Sequence, residues 1–319
     1  MSADVKPVAT RQAFGEALLA AGREVPAVVA LDADLSKSTK SELFGKEFPA
    51  RFFQCGIAEQ NMIGIAAGLA LSGKIPFCCS FACFLAGRFE TIKISVAYSG
   101  ARVRLVGTHA GVGIGEDGYS QMGLEDIGLM RTLPEMLVLQ PGDDVEAHAM
   151  VRWLVSDACM QPAYLRLTRQ NVTRVHGDGY HFDPRKIDPL ADGKDVAIFA
   201  SGGTVMHAMT AREALGREGI AAAVVNVGVI KPLDAAGVRA WAERVPLIVT
   251  AEDHNVIGGM GSAVSEAVAD MRGARARVFR HGVRDVFGES GTPESLYAHH
   301  RLDAAGIASV VREELRASS

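Results

Sequence analysis

Residues 103–118 read VRLVGTHAGVGIGEDG, an apolar β-branched run that gives way at once to glycines. The run predicts a buried strand. Five glycines (Gly107, Gly111, Gly113, Gly115 and Gly118) then make a loop at its far end. Parallel sheets bind ligands at the carboxyl ends of their strands, so this segment predicts both the sheet type and a ligand loop. The loop has no Gly-Lys-Ser/Thr and is not a P-loop, and its glycine spacing is not the dinucleotide fingerprint.

Outward from this stretch the same alternation repeats. AVVALD (27–32) and MLVLQP (136–141) read as further strands, and Phe89 to Tyr98 and Val145 to Ser156 as helices. Asp143 and Asp144, after Pro141-Gly142, predict a helix start. A second series begins near Asp195: the strand VAIFA (196–200), a helix to Gly219, the strand AAAVVNVG (221–228), a helix after KPLD (231–234), the strand PLIVTAEDH (246–254) and a helix from Gly261. Strands alternating with helices predict an α/β fold of two consecutive domains, each a mostly parallel sheet flanked by helices. The aperiodic stretch HGDGYHFDPRKIDPLADGKD (176–195) reads as the linker between them. The domains are thus expected at 1–185, linker included, and 186–319.

Whole-chain properties narrow the function. The 319 residues are 48% apolar and 22% charged with a net charge of −4, which suits a globular protein and gives no reason to expect a nucleic-acid partner. The N-terminus lacks the basic start and apolar core of a signal peptide. No stretch reaches the roughly 18 continuous apolar residues of a membrane span. The five cysteines (Cys55, Cys78, Cys79, Cys83 and Cys159) lack zinc-ligand spacing, and reduced thiols in a cytoplasmic protein are expected.

Three groups of residues could carry chemistry. Glu59 in QCGIAEQNMIGIAAGLALSG (54–73) stands where an irregular stretch enters an apolar helix rich in Gly and Ala. A first-turn glutamate is favoured by the helix dipole alone. The apolar helix is expected to be buried, however, and a buried carboxylate needs a partner or a raised pKa. Gly64, Ala66, Ala67 and Gly68 suggest close approach to another helix or subunit. Arg11, Ser38, His109 and Arg169 are possible anion ligands, the last three following predicted strands. Phe81 and Phe84 in CCSFACFLAGRFE (78–90) read as core by spacing, although a planar ring would need such a stacking surface.

In this order, ATRQAFGEAL, DADLSKST, CGIAEQNMIGIAAGLA, SFACFLAGRFETIK, THAGVGIGEDGYSQMGLEDIGLMRTLP, YLRLTRQN, KPLD and TAEDHNVIGGMGSAV resemble the C-terminal two-thirds of transketolases. The resemblance runs from about residue 8 to about residue 265. It implies thiamin diphosphate chemistry, with Glu59 as the glutamate that hydrogen-bonds a pyrimidine ring nitrogen and so activates the cofactor as its own base. It further implies that Phe81 and Phe84 hold the aminopyrimidine ring, with Asp34 near the cofactor. Arg11, Ser38, His109 and Arg169 would bind the sugar phosphate, and Asp117 the hydroxyl next to the substrate carbonyl. Gln121, in GYSQM, stands where many family members carry histidine; it can hydrogen-bond a substrate oxygen but cannot donate a charged proton.

A complete enzyme of this family also has a diphosphate-binding domain, which holds Mg²⁺ through a Gly-Asp-Gly motif and an asparagine. The Gly-Asp-Gly at 177–179 follows no strand and has no matching asparagine, so it reads as a chance match. The expectation is therefore the C-terminal half of a split transketolase, with no metal ligand of its own and two copies of each subunit, dimerising through the first domain. A separate partner of about 270–300 residues would hold the diphosphate and Mg²⁺. Transfer of a two-carbon ketol unit between sugar phosphates follows as the expected activity. A specialised sugar phosphate, the beta subunit of a 2-oxo acid dehydrogenase, and a non-catalytic scaffold are the rival readings. Glu252 and His254 are as compatible with structural or interface roles as with ligand binding.

Overall fold

A computed structural model describes residues 6–177, 179–273 and 275–317; the central residue of the Gly-Asp-Gly match lies outside them. In chain order the strands are β1 (Val8–Ala9), β2 (Val28–Asp32), β3 (Phe52–Gln54), β4 (Ile75–Phe81), β5 (Arg104–Thr108), β6 (Leu137–Leu139) and β7 (Ala163–Arg166). There follow β8 (Asn171–Val172), β9 (Asp188–Ala191), β10 (Val196–Ala200), β11 (Ala222–Asn226), β12 (Val229–Lys231), β13 (Leu247–Asn255) and β14 (Arg277–Val283). A seven-stranded sheet has the order β12-β6-β7-β5-β4-β2-β3 and a five-stranded sheet the order β14-β13-β10-β11-β9. Pairing in these two sheets is parallel except at two edges, where β12 runs antiparallel to β6 and β9 antiparallel to β11. The fold is α/β with two consecutive sheet-and-helix units, as the alternation predicts.

β2, β4, β5 and β7 are buried at every position, the pattern of strands covered on both faces. The helices Thr10–Glu24 and Asp144–Val155 pack together, and Phe14, Leu18, Met150 and Leu154 fill the core beneath them. Asp143 caps the second of these helices by accepting the Glu146 N–H at 2.9 Å. A second apolar core runs from Leu31 and Met62 through Met130 and Ile230 to Phe199 and Ile248, and so belongs to both sheets.

The structure departs from the sequence reading in three places. The linker contains a strand, β9, which the proline-interrupted composition hid; Pro189 is tolerated because β9 is an edge strand. Phe89 to Tyr98 is one short turn of α-helix followed by a π-helix, Ile92–Tyr98. The helix Glu59–Leu71 is not buried all round. Met62, Ile63, Ala66 and Ala67 face the core, while Ile65 and Leu71 are exposed and the space beside Gly64 and Gly68 is open. Its uniform apolar composition could not distinguish a core helix from one with an uncovered apolar face.

KPLD has a structural part. Lys231 Nζ donates to Arg131 O at 2.9 Å and also to Leu133 O, fastening β12 to the C-terminal end of the helix Asp126–Thr132. No helix among the described residues is long and apolar enough to cross a membrane. The five cysteines are free thiols, with Cys78, Cys79 and Cys159 buried.

Candidate active site

Parallel strands bring their following loops to one edge, and helices that return antiparallel to them start at that edge. Asp34 and Ser38 follow β2, Glu59 follows β3, Phe81 ends β4, His109 to Gln121 follow β5, Arg169 follows β7, and Arg11 is in the first turn of Thr10–Glu24. All the sequence-predicted site residues therefore lie along the carboxyl edge of the first sheet.

Several of them meet. Arg11 Nη1 donates to the Ser38 carbonyl at 2.8 Å and lies 2.8 Å from His109 Nε2. Ser38 thus contributes its backbone, not its hydroxyl, to this contact. Because a guanidinium can only donate, His109 Nε2 accepts, and the ring proton rests on Nδ1, 2.8 Å from Thr108 Oγ1. Thr108 passes its own hydroxyl hydrogen to the Ser80 carbonyl at 3.3 Å. Ser80 Oγ in turn donates to Glu59 Oε1 at 3.0 Å. A continuous chain of contacts therefore links Glu59 to Arg11 through Ser80, Thr108 and His109.

Positive charge gathers at the Arg11–His109–Arg169 corner of this edge. Burial, with the charges of Arg11, Arg169 and Lys40, pushes His109 down to about 3, so the imidazole is neutral at physiological pH. Burial and then the nearby charge of Arg169 lower the pKa of Arg11. Arg169 donates to the Ile114 carbonyl and lies 3.2 Å from the exposed Glu116. His109 also has a backbone φ of +57°, a left-handed conformation that costs a non-glycine residue about 1–3 kcal/mol. Arg11 and Arg169 line a cavity of ≈ 510 Å³ whose opposite wall, from the second domain, includes His207, Glu294, Tyr297 and Asp303.

The aromatic pair is assembled as well. Phe81 stacks on Phe84 at 5.4 Å and 10° and on the His109 ring at 3.8 Å and 26°. Phe81 is buried and Phe84 half-buried, which leaves part of the Phe84 surface free. Asp34, Asp117 and Gln121 stand apart from this cluster. Asp34 is exposed at φ +66° with its N–H bonded to Gln54 Oε1 at 2.6 Å. Asp117 is exposed and Gln121 half-buried on the outer part of the Gly-rich loop, and neither side chain hydrogen-bonds the Arg11–His109 group among the described residues. Among those residues, no group of three or more His, Cys, Asp or Glu side chains could hold a metal ion.

Sequence reasoning missed the supports. Asp32 is buried at the end of β2 and accepts from Thr39 Oγ1 (2.7 Å), Ser41 Oγ (2.8 Å) and the Leu35 N–H (2.6 Å), tying down the segment that carries Asp34 and Ser38. Arg166 is fully buried and lies 2.8 Å from Asp126 and 2.6 Å from Asp253. The available signal was an arginine in the apolar strand AYLR, since a cation there must be paired. Glu252 is structural: its two oxygens accept the N–H groups of Met260 (2.6 Å) and Gly261 (2.8 Å) at the start of Met260–Ala269. His254 is also structural, donating to the Asn255 carbonyl at 2.7 Å and accepting the Gly128 N–H at 3.4 Å.

Comparison with known proteins places the fold in a family. Residues 6–174 match the model of the transketolase pyrimidine binding domain, and residues 185–307 that of the transketolase C-terminal domain. A protein of Methanocaldococcus jannaschii named "Putative transketolase C-terminal section" is 41% identical over 309 residues, covering 96% of each chain. Human transketolase is 36% identical over 312 residues, 96% of this chain but 49% of the human one. A solved structure described as a split gene transketolase, inactive beta4 tetramer, superposes with a TM-score of 0.89 at 44% identity, covering 97% of this chain and 99% of the other. The chain therefore belongs to the transketolase family and corresponds to its C-terminal section.

Proposed function

We propose that this chain is the C-terminal subunit of a split transketolase, which moves a two-carbon ketol unit from a ketose phosphate to an aldose phosphate once a separate diphosphate-binding chain is present. The observation that carries the reading is the single sheet edge holding Glu59, the Phe81–Phe84 pair and the cationic Arg11–Arg169 group. The similar split-gene protein is described as inactive when it forms a beta4 tetramer, which supports the need for a second chain. We divide the two domains near residue 186, with β12 as the strand the second domain lends to the first sheet.

The residues present fit one half of a thiamin diphosphate site. A buried carboxylate with Ser80 on one oxygen suits a pyrimidine ring nitrogen, and the partly free Phe84 ring suits a planar heteroaromatic. When bound, thiamin diphosphate supplies the carbon centre that carries the two-carbon unit. Glu59, oriented by Ser80, exchanges a proton between its carboxyl and the pyrimidine nitrogen. Arg11 and Arg169 hold the sugar phosphate through charge-assisted hydrogen bonds. Neutral His109 and the Ser38 segment fix Arg11, Asp117 takes the hydroxyl next to the carbonyl, and Gln121 hydrogen-bonds a substrate oxygen without donating a charged proton. Asp34 borders the cofactor, and Mg²⁺ is held by the partner. Ile57, Leu71 and Tyr98, exposed by 85%, 66% and 87%, form with Ile65 and Ile94 the apolar surface through which two copies of the first domain pair.

The decisive experiment mixes this chain with a candidate diphosphate-binding partner. Ketol transfer from xylulose 5-phosphate to ribose 5-phosphate is then measured with and without thiamin diphosphate and Mg²⁺. Activity only in the complete mixture is expected; a formed complex inactive on a panel of sugar phosphates would overturn the reading. A specialised substrate is the second reading. Two relatives are each 37% identical over 95–96% of this chain. One, from a Clostridium, is named as part of a 6-deoxy-6-sulfo-D-fructose transketolase, and the other, from Phocaeicola vulgatus, as part of an apulose-4-phosphate transketolase. Activity confined to such sugars would favour it.

A further inference from the structure

The Gly-rich loop that carries His109, Asp117 and Gln121 is moulded by the second domain. At its base the Gly123 carbonyl accepts the Gly111 N–H at 3.0 Å and Arg166 Nη2 at 2.9 Å. Arg166 Nη1 donates to Asp253 Oδ1 at 2.6 Å, and Asp253, near the end of β13, is fully buried. A Cβ on Gly111 would stand 2.4 Å from Asp253 Oδ2, so the loop and this carboxylate are in direct contact. The same oxygen accepts the Tyr297 hydroxyl at 2.9 Å, and Tyr297 itself accepts from Gln170 Nε2 at 2.8 Å. Farther out, a Cβ on Gly118 would lie 2.5 Å from Ser290 Oγ, and one on Gly115 would lie 3.0 Å from Pro293 Cδ.

Gly111, Gly115 and Gly118 all have positive φ, at +74°, +83° and +75°. A loop with this much backbone freedom is costly to order by itself and needs an external template. Rigid elements hold reacting groups better than loops do, and a misplacement of about 1 Å can cost about 100-fold in rate. The residues that set this loop lie mostly outside it, on β7, β13 and the helix Pro293–His299.

We propose that Asp253 is a positioning residue for ketol transfer: braced by Arg166 and Tyr297, it fixes the loop that sets His109 against Arg11 and presents Asp117 to the sugar phosphate. This inference rests on the ketol-transfer reading above and gives the second domain a part in that site. Asp253 touches neither substrate nor cofactor; it acts through Gly111 and Arg166.

Asp253→Asn tests it, because the amide oxygen can still accept from Arg166, and Arg166 keeps Asp126. Tyr297→Phe, which removes one hydroxyl, is the milder second variant. In the enzyme reconstituted with its partner chain, kcat/KM for xylulose 5-phosphate should fall about 100-fold in Asp253→Asn. Half-saturation by thiamin diphosphate, addressed by Glu59 and Phe84 and reached from the loop through the Phe81–His109 stack, should change by less than about tenfold. Hydroxypyruvate, a ketol donor without a phosphate or a hydroxyl beyond its carbonyl, should lose less than about tenfold. Amide exchange at 109–124 in the isolated chain should rise selectively in both variants. Equal losses on both donors, no loss at all, or exchange that rises uniformly would overturn the positioning role. A wild-type assembly inactive on every donor would instead sink the ketol-transfer reading, while the exchange experiment would still report on the joint.

Discussion

Two regions of this chain bury or half-bury Glu, His and Arg side chains and treat them in opposite ways. In the joint and linker between the domains opposite charges pair with one another, although Asp126 Oδ1 has no hydrogen-bond partner among the described residues. Arg166 lies between Asp126 and Asp253, and His176 stands 2.9 Å from Asp143 Oδ1 and 3.0 Å from Asp188 Oδ2. Glu252 there uses both oxygens on backbone N–H groups. Along the carboxyl edge of the first sheet the closure is partial: Arg169 has the exposed Glu116 at 3.2 Å, but neither Arg11 nor Glu59 bonds an opposite charge among the described residues. Arg11 meets a neutral histidine and the field of Arg169, and Glu59 has Ser80 as its side-chain partner. The two histidines register the contrast, His109 being pushed down to about 3 and His176 up to about 10. Burial alone therefore does not distinguish the two regions; what differs is whether a buried group is neutralised by the charges around it.

The sharpest way to break this comparison is to open the closed region. Arg166→Met leaves Asp126 and Asp253 buried without their cation, and should cost about 4 kcal/mol in urea denaturation. A loss under about 1 kcal/mol would mean that the network is not balanced as described. The converse change belongs at the open edge. Glu59→Gln should lower kcat of the reconstituted enzyme about 1000-fold, while denaturation of the isolated chain shifts by less than about 0.5 kcal/mol. Near-normal turnover at saturating cofactor would remove Glu59 from its role. Glu252→Gln should show the reverse pattern, losing about 2 kcal/mol because an amide cannot accept at both positions.

How legible each region was in the sequence follows from the range of its contacts. The sheet edge could be read because strand and helix periodicities are local, and because a parallel sheet gathers successive loops without side-chain information. The α/β class and the position of the glycine loop, Ser38 and Arg169 after strands follow from that, whereas the short strand β3 that brings Glu59 to the same edge, and the meeting of these residues, did not. The Asp253–Arg166 pair joins residues 87 apart in sequence, and the sequence reading singled out Glu252 and His254 on either side of Asp253 instead. Glu59 had a different difficulty. Its apolar helix has the composition of a core element, whereas Ile65 and Leu71 lie on a face the chain itself does not cover. Only the resemblance, not the helix, assigned the glutamate a chemistry.

The smallest effect concerns His176, and its sign is a strict test of the closed region. Burial opposes the charge on this imidazole, but Asp143 and Asp188, with Glu146 behind them, outweigh it and raise its pKa to about 10. A histidine whose folded pKa lies above its unfolded value near 6.5 binds its proton more tightly in the native state. Its contribution is therefore complete below about pH 6.5 and declines as pH rises through about 10. His176→Gln should thus cost about 1.5 kcal/mol at pH 6, the scale of a charged hydrogen bond, and progressively less as the pH climbs. Denaturation of both proteins across that range reads the difference directly, and groups common to both cancel. A gap that stays constant with pH would show that the ring packs against Tyr180, 4.1 Å away between centroids, without carrying the charge that ties the linker to Asp143. A gap that widens toward pH 10 would reverse the sign and place a neutral imidazole in the joint, making His176 the counterpart of His109 and not its opposite.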